Sequence, residues 1–385
     1  MNRSLRRPRT CVSSLALALG ASATSLHAGQ TNNILLTGYW PPTNEMLRQF
    51  STNPAQNGGN YVGANWEGRG FNIVSYFPEF NVPPGFPWGS GDFEVDYQDT
   101  SADWIRITDE VKPVAIITFS RGATAREWQM EPAYQRFRNP GETNPPGRSI
   151  PFYSSDQRDV LYPTDVQMTA EPVGRIRDSS LPMQQIVNNV EAAYPINTEL
   201  NPHIANYNPQ FPDQFDFGGS YLSGFIGYHG AWYYDEHSAP TTPFRTFAAG
   251  HIHVGTSVPV AMGTDATEIT LRTLIDYIKP LLPTAGDANI DGNVNLDDFN
   301  ILASNFGTAS GAVWEDADFT YDGRVNLDDF NLLAANFGFG AGAAGPSPQD
   351  WSTLANSIPE PTSIALLAMT LFPLHRRPRR RGSGT

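Results

Sequence analysis

Phe247-Ala248-Ala249-Gly250-His251-Ile252-His253-Val254 is an apolar run broken only by two histidines. Its length and its lack of regular polar alternation predict a strand buried on both faces. Asn33-Ile34-Leu35-Leu36-Thr37, just before Gly38, and Val114-Ala115-Ile116-Ile117-Thr118-Phe119 read the same way. Helical spacing separates these strands. Leu181–Ala193 carries Pro182 near its start and aligns Ile186, Val187 and Val190, while Thr267–Ile278 aligns Ile269, Leu271, Leu274, Ile275 and Ile278. Such alternation predicts an α/β sandwich with a mostly parallel sheet over residues 32–282. Residues 40–110 and 195–217 are rich in Pro, Asn, Gly and aromatics and are expected to be long ordered loops, where function often lies.

The chain has 385 residues and a formal net charge of −14, which argues against nucleic acid as a partner because no basic face competes for phosphate. The only cysteine, Cys11, falls within residues 1–28, which read as a secretory signal. Arg3, Arg6, Arg7 and Arg9 form its charged start, Val12–Ala23 its apolar stretch, and cleavage is expected after Ala23 or Ala28. The apolar stretch is shorter than the ~20 residues of a spanning helix. The mature chain is thus expected to have neither a disulfide nor a thiolate nucleophile.

At the other end, Pro359-Glu360-Pro361 precedes the apolar run Ile364–Leu374 and the basic run His375–Arg381. Residues 357–385 resemble a PEP-CTERM sorting tail. That resemblance implies an exosortase-type processing enzyme as partner, and a periplasmic, cell-surface or extracellular protein of a Gram-negative-type bacterium. A Gly/Ala/Pro-rich linker, 341–356, leads into it.

Residues 285–340 hold ten acidic residues against one arginine, arranged as two copies of one acidic loop. The first has Asp287, Asn289, Asp291, Asn293, Asn295 and Asp298 at positions 1, 3, 5, 7, 9 and 12, with Gly292 at position 6. The second, 31 residues later (318 − 287), has Asp318, Thr320, Asp322, Arg324, Asn326 and Asp329, with Gly323. Oxygen ligands at this spacing, with position 7 acting through its backbone carbonyl, suit calcium. Each loop runs into a similar apolar segment, Phe299–Phe306 or Phe330–Phe337. The pair resembles a dockerin type I module. This implies a small all-α calcium-loop domain, two calcium ions with the Thr320 loop binding less tightly, and a cohesin-like or other surface protein as partner.

Four further stretches share an order: Leu36-Thr37-Gly38-Tyr39-Trp40-Pro41, Leu181-Pro182, Gly219-Ser220-Tyr221-Leu222-Ser223-Gly224 and His251-Ile252-His253-Val254-Gly255. Together they resemble pyroglutamyl peptidase I (pyrrolidone carboxyl peptidase), whose fold is a three-layer α/β/α sandwich. The resemblance places the nucleophile at Ser223, in the position of the family's cysteine, the histidine at His253 and the carboxylate at Glu131. It places substrate contacts at Tyr39 and Arg121, the latter where the family has glutamine. A serine, a histidine that takes its proton and a carboxylate that orients the imidazole can cleave an amide or related acyl bond of a peptide or other acyl substrate. Arg121 would suit a substrate carrying an anionic group.

Two other readings remain open. In one, the chain is a catalytically inactive descendant that binds peptide or glycan at the surface through Tyr61–Trp88 and Gly230-Ala231-Trp232-Tyr233-Tyr234. In the other, His229, His237, His251 and His253, with Asp235 and Glu236, bind zinc or a related metal and activate water. For the key residues there are also bland readings: Ser223 as a small packing residue, His253 as a structural histidine, and Glu131 sharing a helix face with Glu127.

Overall fold

The computed structural model describes residues 30–80, 89–95, 97–122, 125–135, 175–195, 199–206, 222–240, 242 and 244–340. The expected signal segment, linker and sorting tail, together with 219–221, lie outside them.

The first strand, β1 (Asn33–Gly38), is followed by α1 (Pro41–Leu47), α2 (Pro54–Asn57), β2 (Asn72–Tyr76) and α3 (Tyr97–Val111). Then come β3 (Ala115–Arg121), β4 (Glu127–Glu131), β5 (Ala133–Gln135), β6 (Ile176–Asp178), α4 (Met183–Ala193) and β7 (Asn201–Ile204). Helix α5 (Leu222–His237), β8 (Ala248–Val254) and α6 (Val260–Ile278) complete the α/β part. Six strands form one sheet in the order β2-β1-β3-β8-β4-β7. Every neighbouring pair is parallel except β4 with β8, and β5 and β6 form a separate antiparallel pair.

The expected mostly parallel α/β fold is what the chain forms, and its three layers follow from strand alternation. Ile34, Leu36, Ile117, Phe119, Ile252 and Val254 face one way, onto Met46 and Leu47 of α1, Ile186 and Val190 of α4, and Leu271, Leu274 and Ile278 of α6. Leu35, Ile116 and Ala249 face the other way, onto Trp104 and Ile107 of α3 and Phe225 and Ile226 of α5. With both faces covered, alternation of polarity disappears and the strands become continuous apolar runs. Fully burying each large apolar side chain contributes roughly 1.5–3 kcal/mol.

The expectation of loops over 40–110 is corrected. That stretch contains β2 and the 15-residue α3, whose Trp104 and Ile107 are wholly buried. Residues 201–204 of the second expected loop are β7. Glu127 and Glu131 share a strand face rather than a helix face. Apolar residues in these stretches are scattered among Pro, Asn and Gly, so their periodicity was masked.

A further cluster of buried side chains lies within the acidic repeats, around α7 (Leu296–Asn305) and α8 (Leu327–Asn336). Val294, at loop position 8, pairs its backbone with Phe339 and Gly338 beyond α8; Val325, at the same position of the second loop, pairs with Thr308 and Gly307 beyond α7. Each repeat thus closes the other.

Candidate active site

The carboxyl ends of β1, β3 and β8 carry polar residues where such a sheet is normally apolar. Register places Thr37, Thr118, His251 and Glu131 side by side across β1, β3, β8 and β4, and Ser120, His253 and Gln129 in the next row. By parity these rows share the face of Ile116 and Ala249, under α3 and α5. Gly227 lets α5 approach closely, since a Cβ there would lie 2.7 Å from the Tyr134 ring and 3.2 Å from the His251 Cβ.

His253 and Glu131 meet within these rows. Glu131 is 1% exposed, and its Oε1 accepts from His253 Nδ1 at 2.7 Å, joining residues 122 apart in sequence. A carboxylate can only accept in this contact, so Nδ1 carries a proton, and it is the neutral ring that presents a lone pair at Nε2. No hydrogen bond engages Nε2 among the described residues.

His251 is the neighbour that sequence reasoning did not single out as a separate centre. It is wholly buried, its ring stands edge-on to that of His253 with centroids 4.8 Å apart, and it bonds Thr118 Oγ1 through Nδ1 at 2.7 Å and Ser120 Oγ through Nε2 at 2.8 Å. Burial first, and then the adjacent His253, push its pKa well below the usual histidine range, so the ring is neutral. The Tyr134 hydroxyl accepts from the His251 backbone N–H at 2.7 Å and donates to the Glu131 carbonyl at 3.0 Å, tying both strands together. Spacing alone could have flagged His251, because it and His253 lie on one strand face. Nothing in the sequence links it to Ser120, 131 residues away.

Ser223 is the second residue of α5 and half-buried, and no hydrogen bond joins it to His253 among the described residues. Arg121 ends β3, is exposed, and holds its guanidinium 4.8 Å from the Trp40 ring centroid, a cation–π contact. Tyr39 faces the core under α3 and α5, where its hydroxyl bonds Thr100, and 3% of its surface is left to meet a substrate.

The four-histidine metal arrangement is not brought together. His229 lies on α5, with Nδ1 donating to the Phe225 carbonyl at 2.8 Å and Nε2 3.2 Å from Ser101 Oγ. Burial pushes its pKa down to about 4. His237 donates through Nδ1 to the Tyr233 carbonyl at 2.9 Å and stacks on Phe244, while Asp235 pairs with Arg177. Among the described residues no group of three or more His, Cys, Asp or Glu is placed to hold a metal. The aromatics expected to grip a ligand are largely core: Tyr233 is buried, Trp232 and Tyr234 pack against the cluster that holds it, and Trp66, Phe71 and Phe77 are also buried. Residues 81–88 of that stretch lie outside the described set.

In the acidic loops, Asp287 accepts from the N–H groups of Asp291 at 3.0 Å and Gly292 at 2.9 Å. Asp298 accepts from Ala288 at 2.8 Å, Asn289 at 3.2 Å and Asn295 at 2.9 Å, closing the loop from position 12 back to its start. Asp318 and Asp329 repeat this with Asp322, Gly323, Thr320 and Asn326. Asn295 and Asn326 accept from Asp297 and Asp328 and so cap α7 and α8. Thr320 turns its hydroxyl to Asp329 at 3.1 Å and Asp318 at 3.2 Å. Burial pushes the carboxyls of Asp287, Asp298 and Asp318 up. The donor set is all oxygen, the type calcium takes, with amide and hydroxyl oxygens beside carboxylates of which no three converge among the described residues.

No family model matches the chain, and no curated protein matches it. Among solved structures it is similar to the pyrrolidone carboxyl peptidase of Thermococcus litoralis, at 13% identity and a TM-score of 0.41, over 66% of this chain and 97% of that one. It is also similar to the pyrrolidone carboxyl peptidase of Pyrococcus furiosus, at 13% identity and a TM-score of 0.42, over 64% of this chain and 99% of that one. The α/β architecture stands on the strand pairing itself.

Proposed function

We propose that residues 32–282 form a hydrolase of amide or related acyl bonds, with His253 as its acid–base residue and Glu131 as the carboxylate that orients it. The observation that carries this reading is the buried 2.7 Å contact between Glu131 Oε1 and His253 Nδ1. A carboxylate in that position fixes the tautomer and offsets the charge the ring takes on when Nε2 accepts a proton. A serine hydroxyl, assigned to Ser223 from the sequence, attacks the acyl carbon as its proton passes to Nε2. The proton then goes to the leaving amine or alcohol, and water releases the acyl group by the reverse sequence. Arg121, at the end of β3, would favour a substrate bearing a carboxylate.

The rest of the chain completes the proposal. In the acidic loops, Asp287, Asn289, Asp291, Asn293, Asn295 and Asp298 would hold one calcium ion, and Asp318, Thr320, Asp322, Arg324, Asn326 and Asp329 a second, weaker one. The ion would supply positive charge that locks each loop against its helix, and the module would dock a cohesin-like or other surface protein. Export and removal of the tail follow from residues 1–28 and 357–385.

The test is hydrolysis of an acyl-amide and acyl-ester library by wild type, His253→Ala and Glu131→Gln. Loss of roughly 10²–10⁴-fold in His253→Ala, with a smaller loss in Glu131→Gln, is expected. Turnover that survives His253→Ala at the wild-type rate would sink the assignment.

A further inference from the structure

The polar rows also contain a serine–histidine contact, Ser120 with His251, whose direction follows from the tautomer of the ring. The Thr118 hydroxyl has one proton and two acceptors in reach, the Gly250 carbonyl at 3.3 Å and His251 Nδ1 at 2.7 Å. With that proton given to Gly250, Thr118 Oγ1 accepts from His251 and the His251 proton sits on Nδ1. In that tautomer Nε2 is a lone pair, and the Ser120 hydroxyl 2.8 Å away donates into it. This is the polarity of a serine with its general base in place: a neutral imidazole, the correct nitrogen free, and the other nitrogen held by a fixed acceptor. Burial keeps the ring unprotonated and available. Ser120 lies at the carboxyl end of β3, with 4% of its surface open, one residue before exposed Arg121. Its register partner on β8 is His253. Carboxyl ends of parallel strands are where α/β sheets take ligands, more so where strand order reverses; β1 is followed by β2 on one side and β3 on the other.

We propose that Ser120 is a nucleophile in its own right, with His251 as its base, acting on the same acyl substrates from a position beside His253. Ser120 Oγ bonds to the acyl carbon as its proton moves to His251 Nε2. The carbon–nitrogen or carbon–oxygen bond of the substrate then breaks, and the leaving group takes the proton held on His251 Nε2. Water then attacks the acyl-serine as its proton moves to His251 Nε2, and that proton passes to the departing Ser120 Oγ, restoring the serine and releasing the acid. The inference rests on the hydrolase reading for the substrate class, and not for the identity of the nucleophile.

A fluorophosphonate probe tests it directly, because labelling forms an Oγ–P bond, expels fluoride and needs only the serine and its base. The labelled peptide is identified by mass in wild type and in Ser223→Ala, Ser120→Ala, His251→Gln and Thr118→Val. Label on Ser120 is expected in wild type and in Ser223→Ala, none at that peptide in Ser120→Ala, and at least about 100-fold slower labelling in His251→Gln. Thr118→Val preserves shape but removes the acceptor at Nδ1, so a His251 tautomer protonated at Nε2 becomes accessible and labelling of Ser120 should fall about tenfold. A merely structural hydroxyl at position 120 would show no such dependence. Label confined to Ser223 overturns the proposal and leaves the hydrolase reading intact. An unlabelled wild type that still hydrolyses acyl substrates through His253 overturns both serine assignments but not the acid–base pair. Absence of both labelling and turnover overturns the two together.

Discussion

The carboxyl edge of the sheet and the twin acidic loops are both polar clusters in otherwise apolar surroundings, but they are assembled on different length scales. Each loop draws its oxygens from twelve consecutive residues, and position 12 closes on the loop start by accepting from the backbone N–H groups just after position 1. The sheet cluster draws Ser120, Glu131, His251 and His253 from three strands, with contacts spanning 122 and 131 residues. A local cluster is specified by its own spacing. A cluster of the second kind exists only once β8 has inserted between β3 and β4, so its chemistry depends on the whole core.

That contrast predicts where damage spreads. The largest effect is expected at the sheet edge, where His253→Ala should remove roughly 10²–10⁴-fold of any acyl hydrolysis, as measured by initial rates. The loops should be insensitive to that change. Chelation should act in the opposite sense, lowering the melting transition of residues 285–340 and leaving hydrolysis by 32–282 unaffected. With free calcium at about 1,000 times its Kd, the ion contributes roughly 4 kcal/mol. A thermal melt unchanged between excess calcium and excess chelator would refute calcium loading. If chelation instead abolished hydrolysis, the two regions would not be independent and the comparison would break.

The same contrast explains what could be read before the fold was known. β1, β3 and β8 were legible as apolar runs, because burial on both faces leaves a signal in consecutive residues. The acidic loops were legible because ligand spacing is a one-dimensional pattern. Glu131 and His253 could be paired only through the resemblance of scattered stretches, and periodicity would have put Glu131 on a helix with Glu127. Their strand β4 is five residues long and reads Glu-Trp-Gln-Met-Glu, an alternation equally compatible with an exposed edge. Ser120 carried no signal at all. Its partner is fixed by the β3–β8 register, and register is a property of two strands together.

A further prediction separates burial of histidine from function. His229 is neutral in the folded chain, with a pKa near 4, and titrates near its ordinary value when unfolded. The unfolded state therefore binds the extra proton first. Stability from this residue is complete above about pH 6.5 and is lost as pH falls toward 4, by roughly 3 kcal/mol at most. Chemical denaturation across that range should show a shallower acid slope in His229→Gln than in wild type. Equal slopes would mean that His229 is protonated in the fold. His251 works in the same direction, so a residual slope in the variant is expected, and it reports on the sheet edge.

The smallest effect concerns the phenol that ties β4 to β8 at Glu131 and His251. Burial holds the Tyr134 phenol well above its usual range, so it remains a donor, and it gives its proton to the Glu131 carbonyl while accepting from the His251 N–H. β4 ends at Glu131, and the phenol takes up the backbone donor that the ladder leaves open on β8. Tyr134→Phe keeps the ring against Gly227 but strands that buried N–H, which should cost about 1–2 kcal/mol in urea unfolding at an unchanged m-value. If the tyrosine only supports the fold, hydrolysis at saturating substrate should be unaltered. If it sets the spacing of His251 against His253, the rate should fall by more than the loss of stability explains, and restoring stability elsewhere in the core should not rescue it. The second result would make the sheet edge one coupled unit, whereas the loops, each closed by its own Asp298 or Asp329, would still fail or survive through their own oxygens.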